Sequence, residues 1–387
     1  MLGAAKRYVR YGLGVYRFLK RPLSLAECYS IVRDRMENRE VNFLTMLERG
    51  VYSNPRSPYR RLLEHAGCEL GDVRSMVKSA GLESTLRRLS DAGVYITIEE
   101  YKGKKPVERN GLSFAAQPED FDNPDIRIEA GLERASGATR SQGIRTHRGF
   151  DFLTDLTAVD GVLYDELGWQ KFLYVFWHSS LNISLIVAKL RVPVDKWFFP
   201  LTSNENRARA VYAVAVGKAF GCPIPWPKRT GANSAHEVAS WLAKNKGRQS
   251  LRVLKAKTSL AVRVCLAAQE HNLDISGVHF IAAADPLTPA REQMIRATGC
   301  SVGVNYSSSE TGFIAHCCVN STGDDAHFLK SHLAVIEQPR PVGSTEMTVD
   351  AYGSPHFYPQ RRRSSSTWRM ATAQGWKREI VAASSIA

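Results

Sequence analysis

Apolar and polar positions along this chain change period several times, and each change predicts an element. Residues 4–48 read as two helices, broken near Arg21-Pro22 and restarted by Ser24-Leu25-Ala26-Glu27, a spacing in which hydroxyl and carboxylate each serve a free backbone N–H. The first helix carries Tyr8, Val9, Leu13, Tyr16 and Leu19 beside its basic residues. Such a helix either lies on a membrane surface or packs on its own domain; packing is the expectation, with weak membrane-surface contact as the alternative. Residues 57–67, 72–80 and 82–92 give three short amphipathic helices, the last ended by Gly93 before a strand at Val94-Tyr95-Ile96-Thr97. A polar, loop-heavy stretch (103–130) follows. Residues 151–165 and 170–189 then read as packed helices. Trp197-Phe198-Phe199-Pro200 is an aromatic strand or turn, 207–220 a helix ended by Gly221, and Trp226 to Gly231 an exposed loop.

From residue 250 the period alternates regularly. Strands at 250–254, 278–283 and 300–304 are separated by helices at 259–271 and 289–298. Strands alternating with helices of this length predict an α/β fold with a parallel sheet. Ligands of such sheets bind outside the carboxyl ends of the strands, where Asp285 and Tyr306 to Glu310 fall.

Two segments then bring in chemistry. Asn305-Tyr306-Ser307-Ser308-Ser309-Glu310-Thr311-Gly312 combines a tyrosine, three serines and a glutamate where an apolar run ends. That set can stack a purine, contact phosphate oxygens and hold Mg²⁺; equally, a serine-rich turn with a solvated carboxylate is common. Ser136-Gly137-Ala138-Thr139-Arg140-Ser141-Gln142-Gly143 is a small, polar, basic loop. Glycine lets the backbone approach a phosphate, hydroxyls donate to it, and Arg140 or Arg145 can neutralise charge. No Gly-Lys-Ser/Thr follows at the Walker spacing, and a plain surface turn is the alternative.

The order and spacing of these segments resemble the adenylate-forming superfamily, specifically its branch of phenylacetate–CoA ligase and coenzyme F390 synthetase-like proteins. Ser136 to Ser141 stands where that family has Ser-Gly-Thr-Thr-Gly, Ala283-Ala284-Asp285-Pro286-Leu287-Thr288 where it has Gly-Gly-Glu-Pro-Leu-Thr, and Tyr306 to Glu310 where it has Tyr-Gly-Ser-Ser/Thr-Glu. The resemblance spans residues 45–350, including Asn54-Pro55-Arg56-Ser57-Pro58-Tyr59-Arg60. It implies an α/β fold: the large N-terminal domain of an adenylate-forming enzyme, with mostly parallel sheets flanked by helices and a helical segment in front. The corresponding division is a basic helical segment (1–48), the core (49–350) and a basic tail (351–387). Ser136, Gly137 and Thr139 would then touch the β- and γ-phosphates of ATP, with Arg140 assisting on charge. Glu310 would hold Mg²⁺ and act with Ser309, which meets the α-phosphate. Tyr306 would stack on adenine, Ser307 and Ser308 would line the same pocket, and Asp285 would stand in for a glutamate there. The acyl pocket would draw on the aromatic stretches near Trp177-His178 and Trp197 to Phe199. The partners implied are a small carboxylic acid and a thiol acceptor such as coenzyme A. The chain departs from the pattern at Ala138, Arg140, Ala283 and Ala284, where a hydroxyl or a glycine is usual. Each departure removes a hydrogen bond or adds a Cβ near the nucleotide.

Charge changes this picture only at the ends. The chain carries a formal +14 from 52 basic and 38 acidic residues, which invites a nucleic-acid partner. The excess, however, is concentrated at the termini: in the tail Arg361, Arg362, Arg363, Arg369, Lys377 and Arg378 face Glu379 alone. A nearly balanced middle suits an enzyme with basic ends, and no specific nucleic acid is expected. Seven irregularly spaced cysteines argue against a disulfide framework. No apolar run reaches the roughly 18 residues of a membrane span, no leader pattern opens the chain, and a cytoplasmic location is expected.

After Val349-Asp350-Ala351 periodicity stops. A disordered basic tail is one reading. The genetic code also allows the DNA of 351–387 to encode, one frame over, an apolar strand, an acidic turn and a Cys-Gly-Cys. The expectation is therefore a chain shifted out of frame near Ala351 and truncated, without the mobile C-terminal domain and catalytic lysine that the resemblance implies. A restored Cys-Gly-Cys could join Cys317 and His316 around Zn²⁺; as written, His316-Cys317-Cys318 is expected to pack as core. Two functions follow: ATP-dependent activation of a carboxylic acid with transfer to a thiol, or a truncated, catalytically impaired nucleotide-binding remnant.

Overall fold

The computed structural model describes residues 2–121, 131–135, 145–168, 171–200, 204–231, 233–249, 251–308, 312–318, 321, 325–334, 336–341 and 348–353. The chain divides into two compact units, Met1–Asp34 with Ile128–Leu329 and Arg35–Arg127 with Lys330–Ala387. These cuts differ from the compositional bounds at 48 and 350 because compactness follows contacts between distant segments.

Three helices come first, where two were expected: α1 (Leu2–Lys20), α2 (Leu25–Glu37) and α3 (Arg39–Met46). The Ser24–Glu27 box forms, the Glu27 carboxylate accepting from the Ser24 N–H at 2.9 Å and the Ser24 hydroxyl from the Glu27 N–H at 3.3 Å. Asn38, at φ −95° and ψ 19°, interrupts the second expected helix. A π-helical segment, Leu47–Tyr52, precedes α4 (Pro58–His65). In α5 (Leu70–Asp91) the helices expected at 72–80 and 82–92 are joined across a kink at Gly81, whose φ of 77° suits glycine. Val94 to Thr97 is not a strand, because no strand among the described residues pairs with it. Thr97 instead caps α6 (Ile98–Tyr101): its hydroxyl accepts from the Glu100 N–H at 3.2 Å. The polar stretch beyond contains a hairpin of β1 (Val107–Arg109) and β2 (Leu112–Phe114), with Arg109 paired at 2.8 Å to the buried Glu100.

β3 (Gly131–Ala135) and β4 (Arg145–Gly149) pair antiparallel, and β4 runs into α7 (Phe150–Glu166). Residues 170–189, expected as one helix, are β5 (Phe172–Trp177) and α8 (Leu181–Leu190). Every position of β5 is buried, so no polar alternation marks it as a strand. β6 (Lys196–Pro200) and α9 (Asn204–Ala219) follow as expected, but the expected loop at 226–231 contains the edge strand β7 (Lys228–Thr230). Then come α10 (Ala235–Lys244), β8 (Leu251–Lys257), α11 (Thr258–Glu270), β9 (Val278–Ala283), α12 (Pro289–Arg296), β10 (Ser301–Ser308), β11 (Gly312–His316) and β12 (His327–Phe328). β13 (Ile336–Pro341) and β14 (Thr348–Gly353) form a separate antiparallel pair. Thus Ala351 to Gly353 continue a strand, and the rest of the tail lies outside the described residues.

Eight strands form one sheet in the order β12-β11-β10-β9-β8-β5-β6-β7. It is parallel from β10 through β7 and antiparallel at β11 and β12. On one face, Val238 and Leu242 of α10 and Val264 and Ala268 of α11 pack with Val175, Leu254, Phe280 and Val302. Alternate residues point to the opposite face. There Tyr174 of β5 and Lys255 of β8 meet Tyr164 of α7. This is an α/β unit with a mostly parallel sheet flanked by helices.

Candidate functional site

The sheet register sets the candidate site. β9 and β10 run side by side as far as the pair Ala283 and Asn305. β10 then continues beyond β9, with Tyr306 opposite Ala315, Ser307 opposite Phe313 and Ser308 opposite Gly312, and a bulge between Tyr306 and Ser307. Tyr306 to Ser308 are therefore strand rather than loop, because β11 returns to pair with them. Tyr306 is half-buried at the margin of the apolar core, and Ser307 is exposed. Asp285 lies two residues past Ala283. Asp285 and Tyr306 to Ser308 thus share the carboxyl ends of adjacent parallel strands, the edge on which ligands of such sheets bind, while the point where strand order reverses lies between β5 and β8.

The turn into Asp285 carries a backbone signature. Ala284 adopts φ 71°, a region that L-residues enter at a cost and glycine enters freely. The Asp285 carboxylate is already engaged: Oδ2 accepts from the Ser259 N–H at 3.2 Å and the Ser259 hydroxyl at 2.5 Å. Its carbonyl accepts from the Thr258 hydroxyl at 2.6 Å. Asp285 therefore serves the first turn of α11, whose N–H groups lack helical partners.

Ser309 and Glu310 lie outside the described residues, as do Ser136, Gly137, Thr139 and Arg140. Their flanks are defined. The pair Ala135 and Arg145 closes the β3–β4 hairpin, so residues 136–144 are the connection of an antiparallel pair leading into α7. The pair Ser308 and Gly312 brackets 309–311. Gly312 sits at φ 80°, and a Cβ there would come within 2.8 Å of the Phe152 ring of α7. Glycine is required by both backbone and space.

Where α7 meets β8 and β11 lies a polar cluster of which the sequence analysis named only His316. Asp160 and Tyr164, one turn apart on α7, are fully buried. Lys255 Nζ stands 3.5 Å from Asp160 Oδ2 and 3.4 Å from the Tyr164 hydroxyl, which lies 2.7 Å from that of Tyr174. His316 Nδ1 is 3.8 Å from Asp160 Oδ1. Burial raises the Asp160 carboxyl, with the Lys255 ammonium pulling back. Burial, then Lys255, holds the His316 imidazole down at about 3, so at neutral pH the His316–Asp160 contact is not an ion pair. His316 faces Asn305 across the β10–β11 ladder, which couples the cluster to the residue before Tyr306. A lysine in an apolar strand and an Asp/Tyr pair at i, i+4 on an apolar helix were the signals available.

Other expected groupings resolve differently. Trp177, Trp197, Phe198 and Phe199 fill the core. Trp177 and Phe198 join the cluster under α10 and α11, Trp197 and Phe199 stack with centroids 5.5 Å apart, and the Trp197 indole donates to the His178 carbonyl at 2.9 Å. Each of the four is at most 1% exposed. Cys317 is buried, and its thiol, which burial pushes up to about 11, lies 3.6 Å from Asn305 Oδ1. Cys318 Sγ meets His327 Nε2 at 2.9 Å. Among the described residues no group of three or more His, Cys, Asp or Glu is arranged to hold a metal, and none of the helices is long and apolar enough to cross a membrane. Asn54 is buried and anchors its own turn, donating to the Asp120 carbonyl at 3.2 Å.

In comparisons with known proteins, no family model matches this chain and no curated protein matches it significantly.

Proposed function

We propose that this chain is the large domain of an adenylate-forming ligase that activates a carboxylic acid with ATP and passes the acyl group to a thiol. The observation that carries this reading is the register of β9 and β10, with Asp285 and Tyr306 at neighbouring carboxyl ends. Ala284, in a glycine-like conformation where the resemblance has a glycine, supports it. In this reaction the acid's carboxylate attacks the α-phosphorus, pyrophosphate leaves, and a thiolate then displaces AMP from the acyl-adenylate. The protein's share is positioning and charge neutralisation. The half-buried Tyr306 ring suits a purine face, and the exposed Ser307 hydroxyl suits a polar group on the nucleotide. Glu310 would hold Mg²⁺ and Ser309 would meet the α-phosphate, while Ser136, Gly137, Thr139 and Arg140 would cradle the outer phosphates.

The engagement of Asp285 with Ser259 favours a second reading, a nucleotide-binding remnant without turnover. Pyrophosphate–ATP exchange separates the two. With aryl, fatty and amino acids offered in turn, the ligase reading expects acid-dependent exchange that Glu310→Ala abolishes. ATP binding with no exchange for any acid would leave the remnant.

A further inference from the structure

A different face of the same unit carries an inference independent of the nucleotide reading. α1 is fixed by one side only. Tyr11, Val15, Phe18 and Leu19 are buried, and the helix packs against α7, α8, α9 and β3. Its last carbonyls are capped from α8: Lys189 Nζ donates to Phe18 and Arg21 at 2.8 and 2.9 Å, and Arg191 Nη2 to Leu19 at 2.9 Å. These bonds replace the partners a helix C-terminus lacks. The other side is open. Val9, Leu13 and Tyr16, spaced four and three apart on one stripe, are 61, 52 and 43% exposed. The stripe continues onto the neighbouring elements. Tyr212 of α9 lies over Gly12, Tyr16 stacks edgewise on Phe220 at 5.2 Å, and Trp226, 52% exposed, carries Lys218 5.8 Å from its ring.

The rim is basic. Arg10, Arg17 and Lys20 of α1 and Arg207 and Lys218 of α9 are exposed; Glu27, the first acidic residue of the chain, pairs with Arg21, and no acidic residue lies between Glu205 and Glu237. A helix with an aliphatic stripe, flanking cations and aromatic residues at the margin is the composition of a surface that lies in a bilayer interface. Charge decides among occupants. A second copy would bring like charge against like charge, and a nucleic acid would leave Val9, Leu13 and Tyr16 facing a polyanion. An anionic bilayer satisfies both components at once.

We propose that the α1–α9 face, with Trp226 at its margin, docks this protein on anionic lipid membranes. The test is co-sedimentation of the full chain with vesicles of phosphatidylcholine alone or with about one third phosphatidylserine. Binding is expected on the anionic vesicles only. It should weaken about tenfold in Arg10→Glu/Arg17→Glu and also in Leu13→Glu/Tyr16→Glu, since each pair removes one of the two attractions. All four positions are exposed, and unchanged melting curves verify the fold. Brominated lipid should quench part of the tryptophan emission, and Trp226→Phe should remove that part. Equal binding to neutral vesicles, or none to either, overturns the proposal. So does loss with the arginine pair alone accompanied by RNA binding, or self-association that the Leu13 pair abolishes.

Discussion

The two halves of the parallel sheet are built on opposite principles. The β5–β6 half is aromatic: Phe172, Tyr174, Phe176, Trp197 and Phe199 form a chain of edge-to-face rings, with centroids of neighbours 4.8–6.3 Å apart. The β8–β11 half buries Arg252, Lys255, Asn305 and His316, with Lys255 and His316 beside Asp160 of α7. Arg252 is accounted for by backbone, donating to the Leu242 carbonyl at 2.8 Å and to that of Ser276. The Asp160 cluster is not: neither carboxylate oxygen and neither His316 nitrogen has a hydrogen-bond partner among the described residues. Buried polar groups left so cost stability. Unpartnered polar atoms occur in the aromatic half too, at Trp177 Nε1 and Thr230 Oγ1, but among the described residues buried basic side chains of the sheet's strands lie only in the β8–β11 half, beside the strands that lead into the candidate site.

The contrast can be broken by mutation. Trp197→Ala, which opens a cavity in the aromatic half, is expected to cost about 3–5 kcal/mol in chemical denaturation. In the polar half, Lys255→Met alone should cost about 3 kcal/mol by stranding Asp160 without its cation. The double variant Asp160→Leu/Lys255→Met should recover most of that loss. If the single and double variants are equally destabilised, the pair is not coupled and the contrast is one of packing only.

Acid offers a sharper distinction. A histidine in the unfolded chain protonates near 6.5, whereas folded His316 resists to about 3. Between those values the unfolded state binds the extra proton, so stability present above 6.5 is lost as pH falls, by about 1.4 kcal/mol per unit. His332, in the other unit, is held down to about 3 by burial in the same way. His316→Phe should therefore reduce the acid slope, and the residual slope belongs to His332 and the remaining groups. An unchanged slope would exclude His316 as a buried neutral group. The smallest effect is a gain: Ala284→Gly relieves a left-handed alanine and should stabilise by about 1 kcal/mol in the same denaturation assay.

Legibility followed periodicity. The alternation β8-α11-β9-α12-β10 was readable because each strand is a short apolar run bounded by turn residues and each helix has an amphipathic face. β5 was not, since six consecutive buried residues carry no period. Val94 to Thr97 had strand composition, but pairing depends on a neighbour that local sequence does not name. Asp285 and Tyr306 could be assigned to one end of the sheet from the strand pattern alone. The engagement of Asp285 with Ser259 could not, because it joins the ends of two different strand–helix units. Asp160, Lys255 and His316 come from α7, β8 and β11, and only the folded sheet brings them together.

Binding of Mg·ATP to the full chain, measured by equilibrium dialysis for the wild type and Tyr306→Ala, tests the central claim most directly. Saturable binding that weakens about tenfold when the ring is removed is the predicted result. Wild-type binding that does not saturate, or that is indifferent to Tyr306, would contradict it.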